Sequence, residues 1–176
     1  MQKTNIHTII FDLGNVLICW NPRNLYNKVF ATPEESDWFV TNITHLDWNE
    51  EQDRGRPVAE ATEQLVKEHP KWEKEIRIYY DRWTEHFSGA IEENVDLLRE
   101  LQRSKVNEES KNSYRLLGLT NWSAELFPWA RKTYDFLDIF EDIMVSGEVK
   151  MKKPDPEIYE LLRERCHLGD FSGCVF

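Results

Sequence analysis

A chain of 176 residues, 40% hydrophobic and 12% aromatic, is long enough for one packed domain with an inserted subdomain. Its net charge of −10 argues against a nucleic-acid-binding face, which wants basic residues. No apolar run approaches membrane-spanning length, and the three cysteines (Cys19, Cys166 and Cys174) lack metal-ligand spacing, so a soluble, cytoplasmic protein with reduced thiols is expected.

The first element is His7-Thr8-Ile9-Ile10-Phe11, a β-branched run that reads as a buried strand and stops at the turn-prone Asp12-Leu13-Gly14-Asn15. From about Pro22 to His86 the pattern is helical and carries no strand signal. Thr32-Pro33-Glu34-Glu35 opens one helix with a capping threonine and a proline at the first helical position, and Pro57 and Pro70 open two more. Trp72, Ile76, Tyr79, Tyr80 and Trp83 recur at helical spacing, which reads as packing rather than binding. The seven tryptophans read in the same way, with an aromatic pocket wall as the second choice. Ser88-Gly89 closes the block.

Ile91, Val95, Leu98 and Leu101 then make one face of a helix, followed by a charged loop from Ser104 to Ser113. Tyr114 to Leu119 is the second buried strand. A helix from about Ser123 to Thr133 follows, kinked at Pro128. Ile143-Met144-Val145 is a third strand, Asp155 caps a helix begun by Pro156, and Cys174-Val175-Phe176 begins a fourth strand. Strands alternating with helices predict an α/β protein with a doubly wound parallel sheet. The helical block is too long for a crossover and reads as an inserted cap. The division expected is a discontinuous core, residues 1–19 and 89–176, and a helical cap, residues 20–88.

Three segments carry candidate chemistry. Asp12 stands at the C-terminal end of a strand, where α/β sheets place their ligands. As a carboxylate nucleophile it would form a covalent intermediate that water then hydrolyses, and as a plain turn cap it would do neither. Gly14 and Asn15 let the backbone turn tightly and aim N–H groups at an anion. Thr120-Asn121 offers a hydroxyl and an amide beside a helix start, to bind phosphate oxygens or to cap the helix. Lys153, held before Pro154-Asp155-Pro156, can neutralise both Asp12 and a transferring group, with Lys150 and Lys152 as nearby competitors.

The order FDLGNVL, LLGLTN, KKPDPEIY resembles the haloacid dehalogenase-like (HAD) hydrolase superfamily, and the helical insertion resembles its small helical cap class. The resemblance implies a Rossmann-like core and a magnesium-dependent phosphomonoesterase acting through an aspartyl-phosphate on a small phosphorylated metabolite, such as a sugar phosphate. It implies that Asp12 is nucleophile and magnesium ligand, with the Gly14 backbone carbonyl as second ligand. Thr120, Asn121 and Asn15 would bind phosphate, and Lys153 would hold nucleophile and phosphate together. Asp53-Arg54-Gly55 is similar to the family's specificity loop, with Asp53 and Arg54 reaching the substrate, and Trp20 and Arg23 are pocket neighbours or hinge packing. No nucleic-acid or membrane partner is implied.

Two departures stand out. Gly14 occupies the position where family phosphatases usually carry a second aspartate as general acid and base, whose loss forfeits a factor of roughly 10²–10⁴. A fourth motif, a pair of acids completing the magnesium site, is expected after the strand that Cys174 begins, so the C-terminal part of the core is expected to be missing and catalysis impaired. A metal-independent 2-haloacid dehalogenase and a non-catalytic binding protein remain as alternatives.

Overall fold

The computed structural model describes residues 6–106 and 114–176. The chain begins with β1 (Thr8–Phe11) and β2 (Ile18–Trp20), then enters five helices: α1 (Arg23–Tyr26), α2 (Pro33–Asn42), α3 (Leu46–Asp53), α4 (Val58–Glu68) and α5 (Glu73–Asp81). It returns through β3 (Phe87–Ala90), α6 (Glu92–Val106) and β4 (Arg115–Thr120). The last elements are α7 (Phe127–Thr133), β5 (Asp142–Val145), α8 (Ser146–Val149), α9 (Pro156–Arg165) and β6 (Cys174–Val175).

A parallel sheet of order β5-β4-β1-β6 carries the fold, with Thr8 paired to Arg115 on one side and to Cys174 on the other. Its strands are apolar on both faces because helices cover both. Alternate residues part company: Leu116 and Ile143 face Val95 and Leu98 of α6, whereas Leu117 and Met144 face Ile158 and Leu162 of α9. The helices α1 to α5 pack around an apolar cluster of their own, including Tyr26, Phe39, Trp48, Ile76 and Tyr79. Helix α2 starts as its sequence predicts, with Thr32 accepting from the Glu35 N–H and the Glu35 carboxylate accepting from the Thr32 N–H.

The helical block carries no strand between residues 22 and 86, as its pattern predicts, and the two strands that flank it, β2 and β3, pair antiparallel, Ile18 against Ala90. The partners lie about seventy residues apart, so neither short run signals a strand by itself. Three local expectations are corrected. Pro128 does not kink a long helix: it occupies the first turn of α7, where its missing N–H removes nothing. Asp155 stands at the N-cap position of α9 without a capping bond from its side chain, which instead pairs with Arg54. Of the loop expected from Ser104 to Ser113, residues 104–106 are helical, and 107–113 lie outside the described residues.

Candidate active site

The parallel order places the loops after β1, β4 and β5 along one edge, and the three candidate segments sit on those loops. Below Asp12 the chain closes a tight turn: the Leu13 carbonyl accepts from the N–H groups of Leu17 and Ile18, and Asn15 adopts a left-handed conformation (φ 56°). Asparagine tolerates that region better than most residues. The Asn15 N–H donates to the Ile18 carbonyl, and its side-chain oxygen accepts from the Trp20 N–H at 2.8 Å, so Asn15 shapes the turn. The bridge between Gly14 and Ile18 uses the Leu13 carbonyl and the Asn15 N–H, leaving the N–H and carbonyl of Gly14 itself outside it.

Asp12 has both carboxylate oxygens engaged. Oδ1 accepts from the Leu13 N–H at 2.7 Å and Oδ2 faces Lys153 Nζ at 2.8 Å. Burial pulls the Lys153 ammonium below the usual lysine range, against the hydrogen bond and charge of Asp12. Lys152 points the other way, into an ion pair with Glu50 of α3, so Lys153 is the lysine that reaches the acid.

Asn121, expected on the phosphate, engages the backbone of Lys153 with its amide. Nδ2 donates to the Lys153 carbonyl at 3.0 Å and Oδ1 accepts from the Lys153 N–H at 2.8 Å. Thr120 is fully buried behind this layer, and its Oγ1 has no hydrogen-bond partner among the described residues. A buried hydroxyl without a partner is destabilising unless something supplies one.

A cavity of about 210 Å³ opens over these groups. Asp12, Gly14, Asn15, Asn121 and Lys153 form its polar end, and Glu50, Gln52 and Asp53 enter from α3. Asp53 is raised to about 7, first by burial and then by the charge of Glu50, with Lys152 opposing. Arg54 does not line the cavity: it pairs with Asp155 at 2.8 Å. Gly55 beside it needs its φ of +100°, and a Cβ there would come within 3.1 Å of Lys150 Cγ. Trp20 lines the cavity, whereas Arg23 pairs with Asp37 outside it.

The rest of the wall was read as packing and is both packing and lining. Tyr79, Tyr80, Trp83, His86, Phe87 and Trp122 line the same cavity. The signal available was the aromatic run from Tyr79 to Phe87, but helical spacing identifies a face and not what that face meets. His86 is buried, its imidazole held to about 4 by burial, and its Nε2 has no partner among the described residues.

The oxygen donors fit magnesium in kind. One carboxylate from Asp12 and the Gly14 carbonyl are hard ligands, and this ion keeps waters and takes substrate phosphate for the rest of its shell. Among the described residues no cluster of three or more His, Cys, Asp or Glu side chains could hold a metal ion.

No protein-family model matches the chain, and no curated protein matches it significantly. Solved structures do. A HAD family enzyme of Bacteroides thetaiotaomicron, crystallised as an aspartate-to-alanine mutant with magnesium and inorganic phosphate, superposes with a TM-score of 0.66 at 20% identity, over 97% of this chain and 83% of that one. A predicted HAD-like family hydrolase from Porphyromonas gingivalis gives 0.62 at 18% identity, over 96% and 80%. A structure described as a dehalogenase gives 0.54 at 18% identity, over 95% and 73%. The parallel sheet, the helices inserted after its first strand and these superpositions together establish that the chain has the fold of the haloacid dehalogenase-like (HAD) hydrolase superfamily.

Proposed function

We propose that the chain is a hydrolase that transfers the phosphoryl group of a small phosphomonoester to Asp12 and from there to water. The observation that carries this reading is the Asp12–Lys153 pair at the polar end of a cavity, with the lysine backbone clasped by Asn121. An Asp12 oxygen attacks phosphorus as the ester oxygen leaves, and water then opens the aspartyl-phosphate, returning the carboxylate and releasing phosphate. Lys153, paired with Asp12 at 2.8 Å, offsets charge on the phosphoryl oxygens. The Gly14 N–H and the second hydrogen of Asn121 Nδ2 line the cavity as donors for those oxygens, and the Thr120 hydroxyl is buried next to Asn121 without a partner among the described residues.

Gly14 cannot supply a proton to the leaving oxygen. Asp53, on the cavity wall and protonated to about pH 7, is the carboxyl suited to do so. Magnesium, held by the Asp12 carboxylate and the Gly14 carbonyl, would supply charge neutralisation at the phosphoryl group. The magnesium and phosphate complexes of the Bacteroides enzyme support this part of the reading.

The test is p-nitrophenyl phosphate hydrolysis by the folded protein, with and without magnesium, beside Asp12→Asn. Turnover that needs magnesium and disappears in the variant is expected. A folded wild-type protein without turnover, or a variant that still turns over, overturns the reading. The aromatic wall favours one second reading, displacement at a carbon bearing halide. It requires halide release from a 2-haloacid that a chelator leaves unchanged.

A further inference from the structure

Much of the cavity lining has the wrong chemistry for a polyol, since Trp20, Tyr79, Tyr80, Trp83, Phe87 and Trp122 all contribute aromatic rings. Phe87 and Trp122 stack there with ring centres 5.4 Å apart and planes 6° from parallel. Tyr79, also in the lining, meets the edge of His86 with ring centres 4.4 Å apart. The polar side chains on this wall are turned largely to each other. Gln52 donates to the Tyr80 hydroxyl and accepts from Arg56, while the Asn49 carbonyl accepts from the hydroxyls of both Tyr79 and Tyr80. A sugar brought here would exchange several water hydrogen bonds for aromatic faces, which is unfavourable for each hydroxyl left unpaired. A flat ring loses little and gains stacking.

One polar atom on the wall is different. His86 Nε2 is buried, sits in the cavity lining and has no partner among the described residues. It can hydrogen-bond a single ligand group in either tautomer. Space is limited as well: about 210 Å³ is below the roughly 300–1,000 Å³ usual for drug-sized ligands, which suits one small ring.

We infer that the alcohol carried by the substrate phosphate is a small aromatic ring with one hydrogen-bonding substituent for His86, and not a polyhydroxylated sugar. This rests on the reading of Asp12 and Lys153 as the phosphoryl-transfer pair, and it names the substrate class of the same site.

Four probes separate the possibilities: benzyl phosphate, its 3-hydroxy and 4-hydroxy derivatives, and glucose 6-phosphate. Turnover of each by wild-type protein is measured by phosphate release, and binding of each to the Asp12→Asn protein by calorimetry. Benzyl phosphate should exceed glucose 6-phosphate about tenfold or more in kcat/KM and in affinity. One hydroxy derivative should gain roughly a further five- to tenfold over benzyl phosphate, and that ratio, measured within the same protein, should fall to about one in His86→Phe. Glucose 6-phosphate equal to or better than the ring compounds overturns the inference, as does a hydroxyl preference untouched by His86→Phe. If wild-type protein turns over neither p-nitrophenyl phosphate nor any of the four, the hydrolase reading fails and calorimetry on Asp12→Asn still decides between ring and sugar. Turnover of p-nitrophenyl phosphate but none of the four overturns the inference. Absence of binding by the ring compounds overturns the inference too.

Discussion

Asn121 clasps the backbone of Lys153 on both sides, donating to its carbonyl at 3.0 Å and accepting from its N–H at 2.8 Å. One residue follows β4 and the other lies in the segment after β5 and α8, so a single amide ties two loops together behind the Asp12–Lys153 pair. Asn121→Ala removes both bonds, at a cost of about 1–3 kcal/mol in positioning. The expected result is a kcat reduced roughly 10- to 100-fold with KM much less affected. Steady-state kinetics with p-nitrophenyl phosphate check it; an unchanged kcat would show that the clasp is merely structural.

Lys153→Met leaves Asp12 without its cationic partner. Turnover should fall by about 10²–10³ while the melting temperature moves by only a few degrees, because Asp12 is one-third exposed and solvent screens the pair. A loss of activity that tracks unfolding in circular dichroism would contradict the assignment.

The raised carboxyl of Asp53 makes stability depend on pH in a stated direction. Its folded value is about 7 against an ordinary 3.8, so between those values the folded state holds a proton that the unfolded chain has released. The contribution is complete below about pH 4 and is lost as pH rises through 7, on the order of 4 kcal/mol at full effect. Asp53→Asn should therefore be more stable than wild type at pH 8, with the advantage shrinking towards pH 4. Urea midpoints at pH 4, 6 and 8 read this directly. In activity assays the variant should lose more rate on alkyl phosphates, whose leaving groups need a proton, than on p-nitrophenyl phosphate.

His86 works in the opposite sense. Burial holds its imidazole neutral to about 4, with the charge of Glu85 opposing. Its contribution is present above about pH 6.5 and is lost as pH falls through 4. His86→Phe should flatten the acid side of the stability profile between those values, by up to about 3 kcal/mol. A variant whose urea midpoint falls with acid as steeply as that of wild type would rule this out.

The contact between α3 and α8 depends on Gly55 more than on the charged pair beside it. An alanine Cβ would approach Lys150 Cγ at 3.1 Å and the Gly147 carbonyl at 3.3 Å, on a backbone of positive φ. Gly55→Ala should destabilise by about 1–2 kcal/mol. Arg54→Ala breaks a half-exposed pair with Asp155 and should lose less than about 1 kcal/mol. Chemical denaturation of the two variants gives the order.

What the amino-acid sequence determined alone is local. A β-branched run ending in Asp12-Leu13-Gly14-Asn15, the strand ending at Thr120-Asn121 and the Lys153-Pro154-Asp155-Pro156 turn are each readable within a few residues, because strand and turn propensities act at that range. An alternating α/β pattern puts Asp12 at the C-terminal end of a strand, where such sheets hold their ligands.

Tertiary structure decided everything that depends on a partner far along the chain. β2 meets β3 across about seventy residues. The Asn121 amide bonds both sides of the Lys153 backbone, and Arg54 pairs with Asp155. The aromatic run from Tyr79 to Phe87 is the plainest case. Periodicity marks a helix face as apolar, but burial is satisfied equally by a packed core and by a cavity wall, and the difference is whether the opposing element fills the space. Tyr79 and His86 pack against each other and also line the cavity shared with Asp12 and Lys153, a volume that no neighbouring side chain fills.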